Sequence, residues 1–291
     1  MRNVSRRPPA GRRVADRSSG GHGPVVAPSS LRRTVGRVTT AAPTRNLTLD
    51  GVFNFRDLGG YPTADGRTVR WRTVFRADGL GRLTAEDLEV LRPIGLRAVV
   101  DLRTERELDE RGRFPYETYP VTFHHLSVID STWDREEALR EDLPATEFLH
   151  RAYHSILDEG GPRFGTALGV LADAEALPAV FHCAAGKDRT GLLAALLLGS
   201  LGVHHDHIVE DYALTQATMD RFLAVAATED PEAAQAIADT PATFFMADPA
   251  AMALVLGDLE RDHGSIPAYV RTLGVTDDQL AQLRDLLLTT D

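Results

Sequence analysis

The sequence predicts an α/β protein: a central, largely parallel sheet flanked by helices, ending in a helical C-terminal region. Three observations carry this. The stretch 96–102, centred on Val99-Val100, and the apolar run 177–181 read as strands buried on both faces. Each leads to a helix signal, Thr104 to Glu107 in one case and, past ten residues, the run 192–198 in the other. Beyond residue 200 the recurring pattern is helical.

Composition sets the outer bounds. The chain has 291 residues, 43% hydrophobic and 25% charged, as in an ordinary globular protein. The formal net charge of −10 is unevenly spread. Residues 1–45 hold ten arginines against Asp16, a net of +9, which leaves −19 on the rest. An acidic body argues against nucleic acid as a partner. No apolar run approaches the roughly 18 residues that span a bilayer, so no stable membrane insertion is expected. A single cysteine excludes an internal disulfide and must stay reduced to react, which with the lack of a secretory signal places the protein in the cytoplasm. The residues say nothing of oligomeric state.

Taken in order, residues 1–46 read as a disordered Arg-rich tail, and 47–291 as the folded catalytic domain. The tail is a solvated segment or an upstream start, ahead of a membrane-surface or nucleic-acid arm. Asn54 to Tyr61 suits a strand ending in a tight turn at Gly59-Gly60. Arg56 and Asp57 there form an ion pair fixing the turn or line the pocket. Asp65-Gly66 marks a hairpin turn and 68–75 a half-buried strand. Thr84 to Asp87 is a capping box, opening a helix that Pro93 and Gly95 end. The strand 96–102 carries Asp101 and Arg103 at its C-terminal end, where open α/β sheets bind ligands. A further strand over 121–128 leads to a polar segment with Asp130, then helices over 145–157 and 163–172. His124, His125, His204, His205 and His207 show no ligand spacing, and no metal or other cofactor is expected. The segment 219–249 is core packing or a lid, and 250–261 and 277–288 are helices, the latter capped by Thr276.

The chemistry concentrates in His182-Cys183-Ala184-Ala185-Gly186-Lys187-Asp188-Arg189-Thr190-Gly191, between the apolar run 177–181 and a helix-forming one. A loop from a buried strand into a helix N-terminus is an anion site, because the first helical amides lack partners. Cys183 is the only cysteine and Lys187 the only lysine of the chain. A nucleotide-binding P-loop is excluded, since Asp188 follows Gly186-Lys187 and Phe181 stands where its first Gly belongs. A buried structural cysteine and other Cys-x5-Arg chemistries remain as alternatives.

This stretch resembles the signature loop of the cysteine-dependent phosphatases, and its Gly-Lys-Asp-Arg-Thr-Gly ending looks most like the atypical bacterial tyrosine phosphatases. The Asn-Phe-Arg-Asp-Leu-Gly-Gly stretch over 54–60 is similar to the same family, as is the ending around Gly264 to Tyr269. The resemblance spans about residues 47–290 and implies a phosphatase-type fold. It implies that Cys183 attacks a phosphomonoester and that Arg189 and the amides of Ala184, Ala185, Gly186 and Lys187 hold the phosphoryl oxygens. It further implies that His182 fixes the loop and Thr190 assists the departing thiolate. Asp188 is then the general acid, with Asp130, 53 residues before Cys183, as the alternative. Phosphotyrosine proteins are the implied substrates, phosphoinositides the runner-up, and an inactive phospho-ligand-binding module a third reading.

Overall fold

The computed structural model describes residues 44–130, 143–229 and 231–290. The expected tail over 1–43 and the polar segment 131–142 lie outside the described residues. Strands β1 (Arg56–Asp57), β3 (Val74–Ala77), β4 (Ala98–Asp101), β5 (Thr122–His125) and β6 (Ala179–His182) form one sheet in the order β1-β3-β6-β4-β5. The last four run parallel, and β1 pairs antiparallel with β3 at the edge. Side chains alternate across this sheet: Val74, Ala98, Val100, Ala179 and Phe181 enter one core, Phe75, Val99 and Val180 the other. Two hydrophobic layers therefore sandwich the strands, as expected for the one within 96–102.

Helix α1 (Ala85–Leu91) covers the second layer with Leu88 and Leu91. Its Thr84 capping box forms, as does that of Thr104 and Glu107 opening α2 (Glu105–Arg111). The first layer is built by α3 (Ala145–Leu171) and α4 (Asp188–Leu201), with α5 (His205–Ala213), α6 (Thr215–Glu229) and α7 (Pro231–Ala238) following in the chain. It closes with α8 (Pro249–His263), α9 (Ile266–Thr272) and α10 (Asp277–Leu287). Residues Leu192 to Leu198 of α4 are all buried, so this helix is apolar all round.

Three local expectations are revised. The strand over 68–75 is two strands: β2 (Thr68–Val69) pairs with a C-terminal strand β7 (Leu288–Thr289). A turn separates β2 from β3, with Arg72 at φ 61° and its amide bonded to Asp57 Oδ2 at 2.8 Å. The helices over 145–157 and 163–172 are one helix running through Pro162. Its buried stripe of Tyr153, Ile156, Leu157, Gly160, Phe164 and Leu168 continues across the proline, and that packing outweighs the lost backbone bond. Finally, Arg56 and Asp57 are not paired with each other. Asp57 accepts from the amides of Gly59 and Arg72, whereas Arg56 pairs with Asp211.

Candidate active site

Parallel strands place their C-terminal ends side by side, so the residues after β3, β4 and β6 meet at one edge of the sheet. They are Asp78-Gly79, Leu102-Arg103 and Cys183 onward. The register aligns Ala77 and Asp101 with His182, the residue before Cys183. Cys183 is 2% exposed.

The loop from Cys183 to Lys187 is held by its carbonyls. Ala184 O accepts from the amide of Gly79 at 2.9 Å, and Ala185 O and Gly186 O accept from Asn54 Nδ2 at 3.2 and 3.1 Å. Gly186 O also accepts from Arg76 at 2.7 Å. In a planar trans peptide the N–H points opposite to the C=O. Carbonyls turned toward the scaffold thus turn the next amides into the concavity of the loop, where an oxyanion would sit. Gly186 has φ 65°, and a Cβ there would lie 2.5 Å from Ala77 O, so both conformation and space require glycine.

Behind the loop lies a charged layer. Arg56 and Arg76 both pair with Asp211 of α5, at 3.1 and 2.6 Å, and all three are buried. Arg56 also bonds Asn54, so the residue that holds two loop carbonyls is itself held. Burial and then the neighbouring Arg56 lower the Arg76 pKa to about 10, while the two guanidinium groups outweigh burial and hold Asp211 well below the usual carboxylate range. Two cations sharing one anion leave about one positive charge behind the loop. A negative charge on Cys183 acts electrostatically on both Arg76 and Arg189. This layer and the N-terminus of α4 give the loop a positive field, suited to an anion.

Arg189 stands in the first turn of α4 and is 8% exposed. Its two terminal nitrogens donate to Glu107 Oε2 and Oε1 at 2.6 and 2.8 Å. Burial works against both charges, yet the pair wins: Arg189 is raised above its ordinary value, and Glu107 is lowered to about 2. Glu107 also closes the capping box of α2, so one carboxylate ties that helix to the loop arginine.

The other expected residues fall into three places. Ala184, Ala185 and Asp188 are the partly exposed members of the loop and form its mouth. Asp188 accepts from Tyr153 OH at 2.7 Å and lies 3.1 Å from Lys187 Nζ. Thr190 is buried, and its hydroxyl has no partner, so the expected bond to the Cys183 sulfur is not formed here. His182 lies within the sheet, with Nδ1 3.1 Å from Cys183 O, and burial above all lowers its pKa, leaving it neutral.

The Lys187 side chain turns into the protein. It is 1% exposed and donates to Met246 O at 2.7 Å, in the chain after α7. Asp101 and Arg103 do not line the pocket either. They are fully buried, paired with each other at 2.6 Å, and Asp101 lies 3.4 Å from His182 Nε2. A strand end brought them close, but both side chains turn into the protein. Asp130 is exposed, with its amide bonded to Glu159, at the edge of the described residues.

The model of the tyrosine phosphatase family matches residues 47–289. The chain belongs to the tyrosine phosphatase family. Relatives of this tyrosine phosphatase family member include a candidate tyrosine-protein phosphatase of Cupriavidus necator, 35% identical over 174 residues. That match covers 57% of this chain and 62% of that protein, so the chain spans less than two thirds of its length. The triple specificity protein phosphatase PtpB of Mycobacterium tuberculosis is 27% identical, over 82% of this chain and 98% of that protein. A tyrosine-protein phosphatase of Nostoc commune is 27% identical over 72% of each. Among solved structures, Pseudomonas aeruginosa TpbA in complex with pTyr covers 60% of this chain and 80% of its own at 15% identity. Its TM-score of 0.28 is too low to bear on the fold.

In this member of the family, sequence reasoning missed several residues that build the site. Asn54, Arg76, Glu107 and Tyr153 reach the loop from distant elements, and Asp211 holds Arg76 behind it. Only Asn54 lay in a recognised stretch, and Glu107 was legible only as a helix cap. The segment 219–249 touches the site through Met246 O on Lys187, and Thr218, just before it, donates to Asn54 Oδ1.

Proposed function

We propose that this protein hydrolyses phosphomonoesters, phosphotyrosine in proteins foremost, through a phosphocysteine intermediate. The supporting observation is the loop itself. A buried Cys183 and a buried Arg189 bracket amides turned inward by carbonyls pinned to Asn54, Arg76 and Gly79. Cys183 Sγ attacks phosphorus; the S–P bond forms as the P–O ester bond breaks, and the leaving phenolate takes a proton from Asp188. Water then attacks phosphorus and gives a proton back to Asp188, the S–P bond breaks, and inorganic phosphate leaves with the thiolate restored. Arg189, aligned by Glu107, and the loop amides stabilise the equatorial oxygens in both steps. Asp188 is favoured as the acid because it is the ionisable side chain of the loop that reaches its open mouth.

The commitment of Lys187 to Met246 O and Asp188 favours a substrate with one phosphate. The printed name of the Mycobacterium tuberculosis relative, a triple specificity phosphatase, keeps a phosphoinositide reading as the second choice. The presence of both Cys183 and Arg189 speaks against an inactive binding module. The test is Cys183→Ser, assayed on phosphotyrosine peptides and soluble inositol phosphates. Turnover is expected to vanish while phosphopeptide binding stays measurable. Turnover near wild type would refute the cysteine mechanism, and tighter retention of inositol phosphates would transfer the assignment to the lipid class.

A further inference from the structure

Outside the loop, one group of side chains converges without any role in the chemistry above. His150 and His154 stand one turn apart on α3 and so share a face. Their Nε2 atoms lie 2.6 and 3.0 Å from the same oxygen, Oδ2, of Asp258 on α8. The other oxygen, Oδ1, accepts from Arg261 one turn further along. One ligand atom from each of His150, His154 and Asp258 lies within 4.8 Å of the others, and among the described residues no other such group occurs. The side chains are 26%, 34% and 17% exposed, shielded yet reachable from solvent.

We propose that His150, His154 and Asp258 form a divalent transition-metal site of the zinc class, which staples α3 to α8. Two imidazoles and one carboxylate are a donor set that suits zinc, with a fourth position left for water. Bonds of about 2.0–2.2 Å would set the donors roughly 3.3 Å apart, a change that side-chain rotation supplies. Arg261 serves as the outer partner that orients the carboxylate and leaves Oδ2 to the metal.

The staple has a consequence at the loop. Tyr153, between the two histidines in sequence, donates its hydroxyl to Asp188. A second link, from Thr146 to Asp248, already joins the starts of α3 and α8. A metal between His154 and Asp258 fixes the same seam further along, steadying the helix that braces Asp188 without contact with Cys183. The site does not depend on the chemistry proposed for Cys183.

The experiment uses the full chain carrying Cys183→Ser, so that no thiol competes, titrated with Zn2+ and with Co2+ as a spectroscopic probe. One equivalent is expected to bind, with a rise in Tm and a Co2+ spectrum of nitrogen and oxygen ligation. His154→Ala and Asp258→Asn should each weaken binding by roughly 100-fold or more. Undiminished binding in both variants, or bound metal with no rise in Tm, overturns the proposal. Should a variant fail to fold, X-ray absorption of the Zn2+-loaded Cys183→Ser chain decides. Scattering from two imidazoles supports the site, and its absence overturns it.

Discussion

Asp188 and Glu107 show how single carboxylates divide the work at this loop. Asp188 sits at the mouth, where a leaving oxygen would depart, and Tyr153 and Lys187 fix its orientation. An acid matters most when the leaving group is poor. Asp188→Asn is therefore expected to slow phosphotyrosine hydrolysis by about 10²-fold while sparing an aryl phosphate with an acidic phenol. Asp130→Asn should show no such dependence, and the reverse pattern would move the acid to Asp130. Glu107 acts by holding Arg189, and its depressed pKa makes that pair visible in stability. A carboxyl lowered from an ordinary 4.5 to about 2 stabilises the fold above pH 4.5 and loses that contribution as pH falls toward 2. Glu107→Gln should lower Tm and slow turnover at neutral pH, and its Tm deficit should shrink below pH 4.5. A deficit that persists undiminished at pH 2 would show that charge pairing with Arg189 is not its source.

Among the elements, α5 matters to the loop through one residue. Asp211 neutralises Arg56 and Arg76 from the far side of the sheet's edge, and those arginines in turn hold Asn54 and Gly186 O. Breaking a buried ion pair by removing one partner costs about 3–5 kcal/mol, because the remaining charges stay buried. Asp211→Asn is expected to lower Tm by roughly 10 °C. The survivor should also turn over more slowly, since Gly186 is less firmly placed. A Tm within about a degree of wild type would mean that the two arginines find water instead.

For the whole molecule, contacts with the sheet edge include two residues that composition assigns to the tail. Arg45 and Asn46, expected in the tail, are tied to the sheet edge. Arg45 O accepts from the amide of Asp57, its guanidinium covers the Tyr61 ring at 3.9 Å, and Asn46 bridges Arg56. Residues 1–43 hold nine arginines and no apolar run to bury. Deleting 1–43 is expected to leave Tm and turnover on a small aryl phosphate unchanged, whereas deleting 1–46 should lower Tm. Equal melting of the two truncations would make the Arg45 contacts irrelevant to stability.

Local signals were enough for the strand within 96–102, the capping boxes of Thr84 and Thr104, the cap at Thr276 and the loop bracketed by Cys183 and Arg189. Each of these is written in neighbouring residues, because helix caps, buried strands and helix-start anion loops are short-range devices. The same locality misled where packing prevails, splitting α3 at Pro162 and joining β2 to β3 across Arg72. It also sent Asp101 and Arg103 toward the ligand, when burial and ion pairing turn them into the protein. The partners that complete the site are separated by 82 residues between Glu107 and Arg189 and 135 between Arg76 and Asp211. No periodicity reports such pairs, because they arise only when parallel strands and packed helices bring distant side chains to one place. The sequence alone determined the reacting loop; the tertiary structure decided which charges surround it.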